Sequence, residues 1–83
     1  MEAKNLNLVI VSPEKTLFRG TVQDVTLPGT QGEFMILPKH APLLSSLEKG
    51  VIKYTTSEGG QLLEITGGFV EVNKNEVSIC VEQ

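Results

Sequence analysis

Bulky apolar residues recur along this chain in short stretches, alternating with polar positions and separated by clusters of Gly, Pro, Asn and Ser. A period of two marks a strand with one buried face, and the turn-forming clusters supply the reversals between strands. Residues 6–12 (LNLVIVS) form the first predicted strand, closed by Pro13. In 21–27 (TVQDVTL), Val25 and Leu27 share a face while Val22 is out of phase with them. That mismatch predicts an irregularity near Gln23 and Asp24. After Pro28 and Gly29, a short strand at 33–37 (EFMIL) leads into Pro38.

The second half repeats the pattern. Leu43 to Glu48 reads as a strand, and Lys49-Gly50 as a tight turn into 51–56 (VIKYTT). Ser57-Glu58-Gly59-Gly60 is a strong hairpin signal leading into QLLEIT. That stretch, 61–72, runs on past Gly67-Gly68 as FVEV, and glycines inside a strand predict a bulge or a close backbone approach. Asn73-Lys74-Asn75-Glu76 is a second hairpin turn, and Val77, Ile79 and Val81 mark a last alternating strand. Helical periodicity never lasts beyond one turn, and Pro and Gly recur too often for a long helix. At least about eight short strands at this spacing predict an all-β fold, an antiparallel sandwich or flattened barrel.

Composition sets the scale of that fold. The 83 residues make a single domain, 1–83, with no room for a second core. A chain of this size buries roughly 60–65% of its extended surface, for a stability on the order of 5 kcal/mol. Trp is absent, with only 3 Phe and 1 Tyr, so Val, Leu and Ile must fill the interior. A net charge of −3 with scattered cations (Lys4, Lys15, Arg19, Lys39, Lys49, Lys53, Lys74) offers no stripe to track phosphates, which argues against nucleic acid. One cysteine, Cys80, cannot form an internal disulfide, and a reducing compartment is the natural reading. No apolar run is long enough to span a membrane as a helix. The start, MEAKNLNLVIV, has a short apolar segment and no small-residue cleavage site, so a secretory signal is not expected.

Candidate chemistry concentrates between Leu27 and Leu44, LPGTQGEFMILPKHAPLL. His40 and Glu33 are its only plausible acid–base pair, yet a hydrolase also needs a nucleophile and an orienting group. Ser45 and Ser46 are near in sequence, but no G-x-S-x-G elbow frames them. A lone His after a proline-bounded turn reads better as a structural or interface residue. Metal binding would need three or four ligands, and one His and one Cys without motif spacing fall short. Gly29-x-x-Gly32 lacks the Lys-Ser/Thr of a phosphate-binding loop and serves a turn. What stands out is apolar content: Phe34, Met35, Ile36 and Leu37 run consecutively, and Leu43 and Leu44 follow. Strict alternation buries only half of them, so either they line both sides of a sandwich or a partner covers some. Prolines 28, 38 and 42 stiffen the segment, which lowers the entropy lost on docking. The residues alone therefore reach a small, non-enzymatic β-domain serving as an interaction module. A stand-alone ligand-binding barrel and an enzyme built on His40 and Glu33 are the competing readings.

Several stretches, in order, resemble the epsilon subunit of bacterial F-type ATP synthases, counterpart of the mitochondrial delta subunit. They are Val11-Ser12-Pro13-Glu14-Lys15-Thr16-Leu17-Phe18 with Gly20, then Leu27-Pro28-Gly29, Gly32-Glu33-Phe34, Ile36-Leu37-Pro38 and His40-Ala41-Pro42-Leu43-Leu44. Gly50-Val51-Ile52 and Gly67-Gly68-Phe69-Val70-Glu71-Val72 complete the likeness, which covers nearly the whole chain. Met35 departs from it, standing where many relatives carry Gly. The resemblance implies a flattened β-sandwich of about ten short strands, in agreement with the strand pattern.

It also implies a non-catalytic part of the central stalk, turning with the gamma subunit and the c-ring to couple proton or sodium flow to ATP synthesis. Its place would be the cytoplasmic face of the bacterial inner membrane, peripheral through the complex. By the same resemblance Glu33, with Gly32 and Phe34, faces the c-ring loops. His40, with Pro38, Ala41, Pro42 and Leu43, lies against gamma. No cofactor or metal is implied. Many relatives continue into a two-helix domain that inhibits hydrolysis when extended or binds ATP when folded back. This chain stops at Val81-Glu82-Gln83, where that helical hairpin would begin, so neither property is expected of it.

Overall fold

Residues 5–83 are described in a computed structural model, and among them there are seven strands and no helix. The strands are β1 (Leu6–Val11), β2 (Thr16–Val22), β3 (Asp24–Gly29), β4 (Gly32–Ile36), β5 (Leu43–Thr56), β6 (Gly59–Asn73) and β7 (Glu76–Glu82). They form one sheet in the order β2-β1-β7-β6-β5-β3-β4. Every neighbouring pair is antiparallel except β1 with β7, the first and last strands, which run parallel. The ladder is therefore mixed, where alternation alone suggested an antiparallel one.

Such a ribbon becomes a sandwich by folding over its two longest strands. β5 (14 residues) and β6 (15 residues) pair from Leu43↔Val72 to Thr56↔Gly59, with only Lys49 and Thr66 left out of the pairing. Around those two residues the inward face changes phase. Leu47 and Ile52 are both buried although five positions apart, and so are Ile65 and Val70. One half of the hairpin thus faces one layer and the other half faces its partner. Lys49-Gly50 is a bend within a continuous strand and not the tight turn expected there, so one 14-residue strand replaces the two short ones expected at 43–48 and 51–56. That continuity is one reason the count is seven and not about ten.

The glycines at the bend are dictated by close approach. A Cβ on Gly50 would lie 2.7 Å from Pro28 Cβ. Gly68, at φ 152°, has the Cys80 carbonyl against the place of its missing Cβ, and Val81 Cα only 3.0 Å away. The bulge-or-close-approach reading of Gly67-Gly68 resolves as close approach.

The irregularity expected near Gln23 is a complete break between β2 and β3. Val22 is buried in one layer and Val25 and Leu27 in the other, while Gln23 N–H donates to the Thr55 carbonyl at 2.8 Å. β2 reaches further back than expected, to Thr16, because Leu17-Phe18-Arg19-Gly20 carries no clean alternation. Phe18 closes the layers by packing on Tyr54 of β5, with ring centroids 4.7 Å apart at 48°. The buried core is Leu, Ile and Val throughout, from Leu6, Leu8 and Ile10 on β1 to Val77, Ile79 and Val81 on β7. Overall dimensions of 37 × 26 × 20 Å suit two layers about 10 Å apart.

Candidate functional site

The segment from Leu27 to Leu44 forms one edge of the sheet and the loop beyond it. β3 and β4 pair through Leu27↔Phe34, Pro28↔Glu33 and Gly29↔Gly32, with Thr30 and Gln31 at the turn. Gly32 adopts φ 123°, a backbone that residues with a Cβ rarely adopt. Gly29 is needed for space, since a Cβ there would stand 2.7 Å from the Phe34 ring. Pro28 can sit in a strand with neighbours on both sides because the β3–β5 pairing lapses there. It moves from Thr26↔Lys53 to Gly29↔Leu47, so the missing N–H leaves no hole in the ladder.

On β4, Ile36 is fully buried and Phe34 packs against the core, while Glu33 and Met35 face outward. Glu33 Oε2 lies 3.6 Å from Lys53 Nζ, and both side chains are more than half exposed. A pair this wet adds little stability and serves mainly to orient the carboxylate. Met35, Leu37 and Leu44 are 52%, 51% and 74% exposed. The run of apolar residues that alternation could not bury is thus partly open to solvent.

Beyond β4 the chain makes a tight loop. His40 N–H donates to the Leu37 carbonyl at 3.1 Å, and Lys39 takes the left-handed value φ 70°. His40 Nδ1 lies 2.7 Å from the Ala41 carbonyl, which requires the proton on that nitrogen for a hydrogen bond. Lys39 N–H donates to Asn75 Oδ1 at 2.6 Å, tying the loop to the β6–β7 turn across 36 residues of sequence. Pro38 is half-buried, Ala41 and Pro42 are exposed, and Leu43 packs against the core.

The site residues predicted from sequence fall into two groups. Gly32, Glu33 and Phe34 share a shallow depression with Leu44, Ser45 and also Leu43, which the resemblance had grouped with His40. Pro38, His40 and Ala41 lie on the loop beside the β6–β7 turn. Glu33 and His40 are not brought together as an acid–base pair: one meets Lys53 and the other its own neighbour Ala41. Ser45 Oγ donates to the Ser46 carbonyl at 3.2 Å and not to His40. A wide depression of about 640 Å³ is lined by Lys49–Val51, Leu62–Thr66 and Gln83, and none of the candidate residues borders it. Sequence reasoning missed Lys53 and Asn75. The first is revealed only by the β3–β5 register, and the second sits in a turn whose residue types explain themselves without any distant partner.

Comparison with known proteins places these features. Residues 5–83 match the family model for the beta-sandwich domain of the ATP synthase delta/epsilon chain. The ATP synthase epsilon chain of Leptospira interrogans is 40% identical over 82 residues, covering 99% of this chain and 65% of that protein. That of Desulfitobacterium hafniense is 45% identical over 80 residues, covering 96% and 61%. This chain therefore spans about two thirds or less of the length of these relatives. The fold is also shared with a chain of the Euglena gracilis mitochondrial ATP synthase, solved as OSCP/F1/c-ring in rotational state 1. That likeness has a TM-score of 0.92 at 21% identity, over all of this chain and 54% of the other. By sequence and by fold, the chain belongs to the ATP synthase delta/epsilon family and carries its beta-sandwich domain.

Proposed function

We propose that this domain is a non-catalytic element of the central stalk of an F-type ATP synthase, binding the gamma subunit and the c-ring so that ion translocation is coupled to ATP synthesis. The observation that carries the reading is the edge of the sheet from Gly32 to Leu44. It exposes Met35, Leu37 and Leu44 on a backbone held by prolines, by the β3–β4 ladder and by the Lys39–Asn75 hydrogen bond. A coupling element under torque needs a surface that does not deform, and a stiff surface loses little entropy on docking.

Within that reading Glu33, flanked by Gly32 and Phe34, meets polar and basic groups of the c-ring loops. His40, with Pro38, Ala41, Pro42 and Leu43, lies against gamma. The domain binds no ATP and is held at the cytoplasmic face of the bacterial inner membrane through its partners. An exposed carboxylate at an interface rim contributes orientation and salt sensitivity more than affinity.

Glu33→Arg tests the c-ring contact. Glu33 is exposed and loses only a weak pair with Lys53, so the melting temperature should stay within about 2 °C of the parent. Proton-driven ATP synthesis by enzyme reconstituted with the variant should fall several-fold, by an amount that shrinks as salt is raised. Unchanged synthesis at every ionic strength would remove Glu33 from the contact.

A further inference from the structure

We infer that Asn75 is the positioning residue of the 37–42 loop: its carboxamide oxygen holds Lys39 in the left-handed conformation that presents His40 to a partner. The inference rests on the gamma-binding reading of that loop and names the device that shapes it. Lys39 has φ 70°, a region that side chains bearing a Cβ avoid, so the conformation must be imposed by what surrounds it. Pro38 before it constrains the backbone on one side, and the His40 N–H to Leu37 carbonyl bond closes the turn on the other. The Lys39 N–H itself is taken up by Asn75 Oδ1 at 2.6 Å.

Asn75 is well placed to hold a distant segment. Lys74 and Asn75 sit at φ 51° and 66° between the paired residues Asn73 and Glu76, the two-residue hairpin turn in which both central residues are left-handed. Glycine satisfies such a turn as well as asparagine, so the turn by itself makes no demand on the Asn75 side chain. The turn is in turn fastened to β1. The Asn75 carbonyl accepts from Asn7 N–H at 2.8 Å, and Asn7 Nδ2 donates to Glu76 Oε2 at 2.6 Å. Three segments that are remote in sequence therefore meet at one residue, and the loop inherits the rigidity of the central sheet. Nothing in the loop's own sequence supplies that anchor.

Two variants separate positioning from turn formation. Asn75→Gly keeps the backbone conformation and removes the acceptor, whereas Asn75→Asp keeps both an acceptor and a tolerance for positive φ. For Asn75→Gly we expect a melting temperature within about 2 °C of the parent, about tenfold faster hydrogen exchange at the Lys39 amide, and about five- to tenfold weaker binding to purified gamma subunit. Asn75→Asp should restore both exchange protection and affinity. Unchanged exchange at Lys39 in Asn75→Gly would overturn the inference, and so would unchanged affinity when the parent chain binds gamma. If the parent does not bind gamma at all, the functional reading fails instead, and the Lys39 exchange rate alone decides whether Asn75 positions the loop.

Discussion

Tyr54 shows how a single side chain ties the two layers together and leaves a measurable trace. Its ring packs on Phe18 across the sandwich, and burial pushes the phenol above its ordinary value of 10.0. Burial disfavours the phenolate, so the folded state prefers the neutral ring. The stabilisation is complete below the unfolded value and is lost as the pH rises through the higher folded one. Urea midpoints measured at about pH 9 and about pH 11 should therefore fall more for the parent than for Tyr54→Phe, which cannot ionise. Equal falls in the two proteins would mean that the ring ionises as freely in the fold as out of it. At this same scale, the glycines at 29, 50 and 68 are governed by what lies within a few ångströms of a missing Cβ. Sequence identifies such residues as turn or bulge formers, but the Phe34 ring, Pro28 or Cys80 carbonyl that excludes a side chain lies on a neighbouring strand, and pattern does not name that neighbour.

Among the elements, the order of the sheet sets the order of stability. β7 and β6 lie in the middle of the ladder with neighbours on both sides, while β2 and β4 are its edges. Native-state hydrogen exchange should give the strongest protection to amides of Val70, Val72, Val77 and Ile79. Amides on the unpaired side of β4 should exchange by local opening. Uniform protection across all strands would contradict the ladder as described. The alternation of apolar residues was enough to locate most strands, because each has one face on an aliphatic core. It could not distinguish a turn from a bend at Lys49-Gly50, since both change the phase of the pattern. It missed residues 16–20 of β2, where Leu17 and Phe18 are both half-buried and break the period. The parallel pairing of β1 with β7 was illegible for a simpler reason: it joins opposite ends of the chain, and pattern carries no information on which strands become neighbours. In the candidate site, the exposed apolar run and the stiff prolines could be read from the residues. The partners of Glu33 and Lys39 could not, because they depend on register and on a turn some 36 residues away.

For the molecule as a whole, a flat two-layer body with one edge carrying exposed Met35, Leu37 and Leu44 is suited to being held between other surfaces. Among the described residues the core contains no buried polar or charged residue, so packing of the interior makes no demand on the side chains of Glu33 and His40. Those residues are free to answer to partners. A net charge of −3 suits the basic and polar c-ring loops proposed as one partner and disfavours phosphate backbones. Membership of the ATP synthase delta/epsilon family and the stiff, exposed edge both support the proposal made above, that this domain docks on the gamma subunit. The most direct test is co-purification of the chain with purified gamma subunit at micromolar concentration. A stable complex in equal stoichiometry, weakened by Asn75→Gly and by substitution of His40, is the result expected. No association of the parent chain with gamma at that concentration would contradict the account.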